Sequence, residues 1–273
     1  MEVDPIERTR NQTRKRKQDD LDSTLQISLR DRRYLKKPKR YGEACSVFVN
    51  EPTSHSDAML CRDREQWRLA IQEELDSLRN NDTWEIIDRP PKAELIDTKW
   101  VFKVKLDSSG NINRYKARLC ARVFKQRQGV NYEETYAPVV RYESLRVLFA
   151  VAARLDLEMT QFDVKTAFLY GELEEEILIE IPVGLDIPER SRKACRLKKA
   201  LYGLKQASRC WNKRFSGFLS KHGFVRCESE WSVFTCKDGD GVMFLALFVD
   251  DGMIFGSSKV KIQCIIDELK KRV

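Results

Sequence analysis

The segment Phe244-Leu245-Ala246-Leu247-Phe248-Val249 runs straight into Asp250-Asp251-Gly252 and leaves through Met253-Ile254-Phe255. Two adjacent carboxylates between apolar runs leave few folds open. Taken alone, the segment reads as a β-hairpin whose Asp-Gly supplies the positive φ of a tight turn. A second carboxylate changes the balance. Asp163 follows Gln161-Phe162 in what reads as an otherwise buried strand and precedes Val164 and Ala167-Phe168-Leu169-Tyr170, where an unpaired charge is costly. Two costly carboxylates invite a common cation.

Magnesium takes hard oxygen ligands, usually one or two protein carboxylates, with water and substrate phosphates completing the shell. Asp163 and Asp250 could hold such ions. Adjacent strand residues face opposite sides, so Asp250 ranks above Asp251 as a ligand. Two ions about 3.5–4 Å apart would serve in-line phosphoryl displacement, one activating the attacking hydroxyl and the other the leaving pyrophosphate. The chemistry expected is nucleotidyl transfer.

Charge is separated along the chain. Net charge is +8 over 273 residues. Residues 1–41 hold thirteen Lys/Arg against seven Asp/Glu, including Arg14-Lys15-Arg16-Lys17 and Lys36-Lys37-Pro38-Lys39-Arg40. This basic arm reads as a solvated disordered linker or a nuclear-import signal. Residues 99–127 hold nine Lys/Arg against Asp107 alone, interleaved with Trp100, Phe102, Tyr115 and Phe124. Alternation at period two puts Lys103 and Lys105 on one strand face and Phe102 and Val104 on the other. Basic clusters of this density attract phosphate backbones, so nucleic acid is the expected partner.

Apolar periodicity is absent up to about residue 60, and residues 1–64 are read as a linker preceding a folded unit over 65–273. Trp67, Ala70, Ile71, Glu74, Leu75 and Leu78 predict a helix. A short strand over Trp84 to Ile87 and a hairpin of Lys99 to Leu106 with Ile112 to Ala121 follow. Ser144, as N-cap, opens a buried helix to Leu155 carrying Leu145, Leu148, Phe149 and Ala152. Then come a strand near Met159 to Val164, an acidic segment over Glu172 to Glu180, and a helix over Ala207 to His222 with Trp211, Phe215, Phe218 and Leu219 inward. Strands Trp231 to Cys236, Val242 to Val249 and Met253 to Gly256 precede a final helix from Lys259. The fold class is α+β.

Several motifs are set aside. Asp238-Gly239-Asp240-Gly241 lacks the spaced ligands of a calcium loop and reads as a turn, as does Asp107-Ser108-Ser109-Gly110. Glu172, Glu174, Glu175 and Glu176 read as a solvated face. Eight cysteines without a Cys-x-x-Cys spacing read as reduced thiols rather than a zinc site. No apolar stretch reaches the roughly 18 residues of a membrane span, which argues against a membrane or secreted chain.

Six ordered strings resemble the reverse transcriptases of copia-type LTR retrotransposon Pol polyproteins, over roughly residues 65 to 265. They are Lys99-Trp100-Val101-Phe102-Lys103, Tyr115-Lys116-Ala117-Arg118-Leu119, Thr135-Tyr136-Ala137-Pro138-Val139-Val140, Asp163 through Gly171, Ala200 through Arg209, and Phe248-Val249-Asp250-Asp251. The resemblance implies a right-hand polymerase, with fingers and an incomplete palm formed by an antiparallel sheet with packed helices. It implies an RNA-directed DNA polymerase extending a primer on an RNA or DNA template with deoxynucleoside triphosphates (dNTPs). Asp163, Asp250 and Asp251 would be its catalytic and metal-binding aspartates, holding two Mg2+, with Mn2+ the alternative. Phe168 resembles the steric gate against a 2′-hydroxyl. Lys105, with Lys116 or Arg118, resembles the triphosphate-holding residues, and Tyr202-Gly203 the segment lining the nucleotide pocket.

The sequence departs from the family pattern in places. Phe248 stands where Tyr is usual, Val123 where Gly is usual, and Glu230-Trp231-Ser232 where Asp-Pro-Cys is usual. A β-branched residue at position 123 is strained if that position has positive φ. The chain halts after the Asp-Asp hairpin, so the thumb and the RNase H domain of the polyprotein are expected to be missing partners. A truncated or domesticated remnant that only binds nucleic acid is the alternative function. Either location implied, a cytoplasmic virus-like particle or the nucleus, is non-secretory.

Overall fold

The computed structural model describes residues 51–239 and 241–272. Residues 1–50, which include the basic arm expected over residues 1–41, lie outside them. The remaining stretch of the supposed linker is folded. Helix α1 (His55–Leu60) starts where the Ser54 hydroxyl accepts the Asp57 N–H at 3.1 Å, and its Ala58 is fully buried. A single turn and a half burying one alanine leaves no periodic trace, so hydropathy alone read it as linker. Helix α2 (Arg64–Asn80) buries Trp67, Ala70, Ile71, Leu75 and Leu78, the expected stripe.

Strand β1 (Trp84–Asp88) precedes the hairpin β2 (Thr98–Leu106) and β3 (Ile112–Ala121). The Asp107 carboxylate accepts the N–H groups of Ser109 and Asn111 across its tip, a turn as expected. Trp100, Phe102, Ala117 and Leu119 face α2, where Trp67 meets Phe102 and Tyr115 edge-on at 5.1 and 4.7 Å. A short 3-10 turn (Val123–Lys125) follows β3. Val123 is not among the residues with positive φ, so the strain expected there is absent: the turn leaves it a conformation open to any L-residue.

Helix α3 (Tyr142–Leu155) begins two residues before Ser144. That hydroxyl does not cap it but hydrogen-bonds to the Glu230 carboxylate at 2.9 Å. The helix buries only Leu148 and Ala152, while Phe149 is 41% exposed, so it lies on the sheet rather than inside the core. Strand β4 (Glu158–Asp163) leads through Thr166 to a second 3-10 turn (Ala167–Tyr170). The acidic segment is strand β5 (Glu172–Ile179), with Glu172, Glu174 and Glu176 solvated and Ile177 and Ile179 buried. β6 (Lys193–Lys199) was not foreseen. Its alternation of Lys and Arg with Ala, Cys and Leu is a half-buried strand hidden by high charge. β1, β6 and β5 form an antiparallel three-stranded sheet in that order.

Helix α4 (Ala207–Lys221) turns Trp211, Phe215, Phe218 and Leu219 inward as expected. Strands β7 (Val225–Arg226), β8 (Val233–Asp238), β9 (Gly241–Phe248) and β10 (Asp251–Gly256) precede helix α5 (Lys259–Arg272). Trp231 stays outside β8 and is exposed. These strands join β4 in an antiparallel sheet ordered β4-β10-β9-β8-β7. One face packs Leu245, Leu247 and Ile254 against α4 and α5; the other packs Ala246 and Phe255 under α3. The molecule is thus α+β, as read from the sequence.

Candidate active site

Register decides which carboxylates meet. Asp251 of β10 pairs with Asp163 of β4, and the Val164 N–H donates to the Asp250 carbonyl at 3.0 Å. The hydrogen-bonded pair therefore falls on Val164 and Asp250, and the next pair, Asp163 with Asp251, is a non-hydrogen-bonded one. Such partners have Cα atoms about 4.5 Å apart and side chains on one face. That face is the one covered farther along by α3, since Met253, Phe255 and Ala246 share it. Phe248 lies there too, its ring 6.4 Å from Tyr142.

This corrects the burial expected at Asp163 and sets Asp251 opposite it. Asp163 is exposed, on the edge strand of its sheet, so no buried-charge penalty forces a cation on it. Asp251, not Asp250, is its direct partner, and Asp250 sits one position on, inside the turn. Asp250 lies outside β10, in the turn before it, so strand parity does not rank the two aspartates as ligands.

The turn itself is also built differently. Gly252 does not carry positive φ; Val249 does, at +58°. A β-branched residue there is strained by roughly 1–3 kcal/mol, and the Trp211 indole N–H holds it by donating to the Val249 carbonyl at 2.7 Å. Gly252 answers a different need. A Cβ on it would overlap the ring of Phe162, its cross-strand neighbour, so glycine lets that ring lie flat across the strand. Thr166, three residues past Asp163, is likewise left-handed at +56° where the chain turns toward Phe168.

Three of the expected nucleotide residues, Phe168, Tyr202 and Arg118, converge from three elements. Phe168 meets Tyr202 edge-on at 4.8 Å, and the Arg118 guanidinium lies over the Tyr202 ring at 5.5 Å. The Tyr202 phenol is pushed up to about 12, chiefly by burial, with Arg118 opposing the rise and the charge of Asp250 adding to it. Tyr202 thus feels both a cation of the β2–β3 hairpin and a carboxylate of the β9–β10 turn. Gly203 has φ +93°, and a Cβ there would overlap the Ala121 carbonyl, while the Ala121 N–H donates to the Tyr202 carbonyl at 2.8 Å. The loop is locked to the end of β3 by this close approach.

Lys116 and Arg118 share one face of the hairpin with Lys103, Lys105 and Arg114, since Lys103 pairs with Lys116 and Lys105 with Arg114. Lys105 stands nearer the tip and is exposed. Burial and the neighbouring Arg118 and Arg114 lower the Lys116 pKa. Glu74 of α2 was read only as part of a helical stripe. Its buried carboxylate accepts the Leu119 N–H at 3.1 Å near Arg118 and Lys116, and burial raises its pKa. A lone acid among apolar stripe positions was the available signal. Glu51, ahead of α1, pairs with Lys103 and accepts the Val104 N–H at 3.0 Å, a contact no motif announced.

Among the described residues, no group of three His, Cys, Asp or Glu side chains is placed to hold a metal ion by itself. The donor set still suits magnesium. Asp163 and Asp251 are exposed, face each other across the strands, and have no ion-pair partner among the described residues. Two such carboxylates, completed by water and phosphate oxygens, are the usual protein share of a magnesium shell. No described helix is long and apolar enough to cross a membrane.

Residues 81–273 match the family described as reverse transcriptase (RNA-dependent DNA polymerase). The chain belongs to this family. It is 37% identical over 237 residues to the retrovirus-related Pol polyprotein from transposon TNT 1-94 of Nicotiana tabacum, covering 85% of this chain and 18% of that one. To the Pol polyprotein from transposon RE2 of Arabidopsis thaliana it is 35% identical over 253 residues, 92% of this chain and 17% of the relative. The transposon Ty1-BL Gag-Pol polyprotein of Saccharomyces cerevisiae is 28% identical over 214 residues, 77% and 12% respectively. The chain thus spans less than a fifth of the length of each of these three relatives, which are polyproteins of copia-type elements.

Proposed function

We propose that this domain supplies the fingers and part of the palm of an RNA-directed DNA polymerase that extends a primer 3′-hydroxyl with dNTPs on an RNA or DNA template. The single observation carrying this reading is the Asp163–Asp251 cross-strand pair beside the Asp250 turn, within the electrostatic reach of Tyr202. The β2–β3 hairpin corresponds to fingers, and the five-stranded sheet with α3, α4 and α5 to the palm. Asp163 and Asp251, joined by Asp250, would hold the two Mg2+ or Mn2+ ions. Bound there with substrate phosphates, such ions make the primer hydroxyl a better nucleophile and stabilise the pyrophosphate leaving group.

Each remaining role follows from the chain's own side chains. Lys116 and Arg118, with Lys105 toward the tip, neutralise the triphosphate and orient its oxygens, Arg118 as a bidentate fork. Phe168 and Tyr202, packed edge to face, form a wall under the sugar where a 2′-hydroxyl would collide with the Phe168 ring. Gly203 keeps the adjacent backbone open to the base pair. The thumb and RNase H of a longer polyprotein would grip the duplex and remove the RNA strand, in a virus-like particle or in the nucleus.

Primer extension on an RNA template tests the reading. The full chain is expected to incorporate dNTPs with magnesium, and Asp251→Asn to lose about three orders of magnitude in rate, since several kcal/mol of charge stabilisation is removed. Equal incorporation by Asp251→Asn and the parent would overturn it.

A further inference from the structure

The proposed site leaves one buried acid without a use. Carboxylates are almost never buried without a paired cation, yet Glu74 is 7% exposed and makes no ion pair among the described residues. Ala70, Ile71 and Leu78, one turn away on α2, are apolar and buried, so the helix offers it no partner. The carboxylate reaches instead to the hairpin. The β2–β3 ribbon has two edges that no third strand covers. A glutamate clamps each: Glu51 accepts the Val104 N–H of β2, and Glu74 accepts the Leu119 N–H of β3 at 3.1 Å. Two residues along the same edge of β3, the Ala121 N–H donates to the Tyr202 carbonyl. Alternate residues of a strand point their N–H groups to one side, so Glu74 and the nucleotide-lining loop attach about 7 Å apart.

The charged and titratable groups around Glu74 come from the ribbon and that loop. β3 brings Arg118 and Lys116, whose charges oppose the burial that raises the Glu74 pKa. Lys116 is held up by Glu74 in return, against burial and the charges of Arg118 and Arg114. β2 brings Lys99 opposite Cys120, and Glu74 and Lys99 act on that thiol in opposite directions. The loop brings Tyr202, whose phenol feels both Glu74 and Asp250. Arg118 and Lys116 are the cations that the proposed function assigns to the triphosphate. A bound polyanion offsets their charge, and the carboxylate then loses what favoured its ionised form.

We propose that Glu74 is a positioning residue that takes up a proton when a nucleoside triphosphate occupies the Lys116–Arg118 face. This rests on the polymerase reading above and adds to it a proton linkage carried by a side chain away from the substrate. Reciprocity fixes the sign: a triphosphate that favours the protonated acid is itself favoured by it. Protonated, Glu74 still accepts the Leu119 N–H and leaves the cations to the substrate. Ionised, it competes for them. Affinity from this source is full at low pH and is lost as pH rises through the raised value.

The test is nucleotide affinity against pH. The full chain, loaded with template-primer and Mg2+, is titrated between about pH 5.5 and about pH 8.5 with a dNTP whose α–β bridge resists cleavage, alongside Glu74→Gln. Dividing the two affinities at each pH cancels the titration of the nucleotide's own phosphates. The quotient is expected to start near parity and to rise by roughly three- to thirtyfold in favour of Glu74→Gln. Calorimetry in buffers of different ionisation enthalpy should show the parent taking up more protons on binding than the variant. Glu51→Gln is the control: the Lys103 hydrogen bond holds the Glu51 carboxyl below the usual carboxylate range, so its quotient should not change with pH. A flat quotient for Glu74→Gln would overturn the inference and leave Glu74 a tether of the ribbon. An equal rise in Glu51→Gln would overturn it too. Should Glu74→Gln not fold, the absence of proton uptake by the parent does the same. In each of these cases the nucleotide is still bound and the polymerase reading stands. A folded parent that binds no nucleotide at any pH sinks that reading, and the inference with it.

Discussion

The β2–β3 hairpin is a two-stranded ribbon, supported on one face by Trp67 and held along one strand by Glu51, whereas β9–β10 occupies the middle of a five-stranded sheet with a hydrophobic core on each face. Both present like charges on one face, cations in the first and carboxylates at the end of the second. The side chains explain the difference in support. Lysine and arginine reach a phosphate on long, adjustable stems, so the ribbon under them can shift without losing the contact. For aspartates on short stems to share a cation shell, as proposed, their strands would have to hold register to within a fraction of an ångström. The sheet core and the Trp211 hydrogen bond supply that constraint.

The same substitution in the two hairpins should break or sustain this contrast. Gly252→Ala drives a methyl into the Phe162 ring at the centre of the sheet, and should cost about 1–3 kcal/mol or more with loss of activity. Gly110→Ala, at the ribbon tip with φ +82°, meets nothing within 4 Å and should cost only about 1 kcal/mol for its backbone, with activity kept. Denaturant midpoints of the two variants decide it; equal losses would mean that the hairpins are equally constrained.

A smaller effect sharpens the picture under the ribbon. Burial raises the Glu74 pKa, so the folded state holds its proton more tightly than the unfolded chain does. Stability from this source is present at low pH and is lost as pH rises through the raised value. Glu74→Gln keeps an acceptor for the Leu119 N–H and cannot ionise. Its melting temperature should match the parent's near pH 4 and exceed it by roughly 2–4 °C above neutrality. A gap that stays constant with pH would show that the carboxylate is already paid for by Arg118 and Lys116.

Much of this was legible in the residues. The stripe Trp67 to Leu78, the alternation of Lys103 and Phe102, and the inward face of Ala207 to Lys221 are period-3.6 and period-2 patterns that survive folding because one face is buried. The three aspartates and the Phe168, Tyr202 and Arg118 group were legible as separate strings. Their meeting was not, because register and loop closure are tertiary facts. Reading Asp163 as buried failed since apolar neighbours on an edge strand look like those of a central one. Reading Gly252 as the turn glycine failed since the steric demand comes from Phe162, ninety residues away in sequence. β6 went unseen because four Lys and Arg in seven residues mask its buried Ala194, Cys195 and Leu197.

The central claim is that Asp163 and Asp251 share one cation shell. Electron paramagnetic resonance of Mn2+ bound to the full chain, in the presence of template-primer and a nucleotide whose α–β bridge resists cleavage, tests it most directly. The account predicts that Asp163→Asn and Asp251→Asn each abolish the bound signal, while Glu158→Gln, at the far end of the same strand, retains it. Retention of parental Mn2+ binding by either aspartate variant would contradict the shared site.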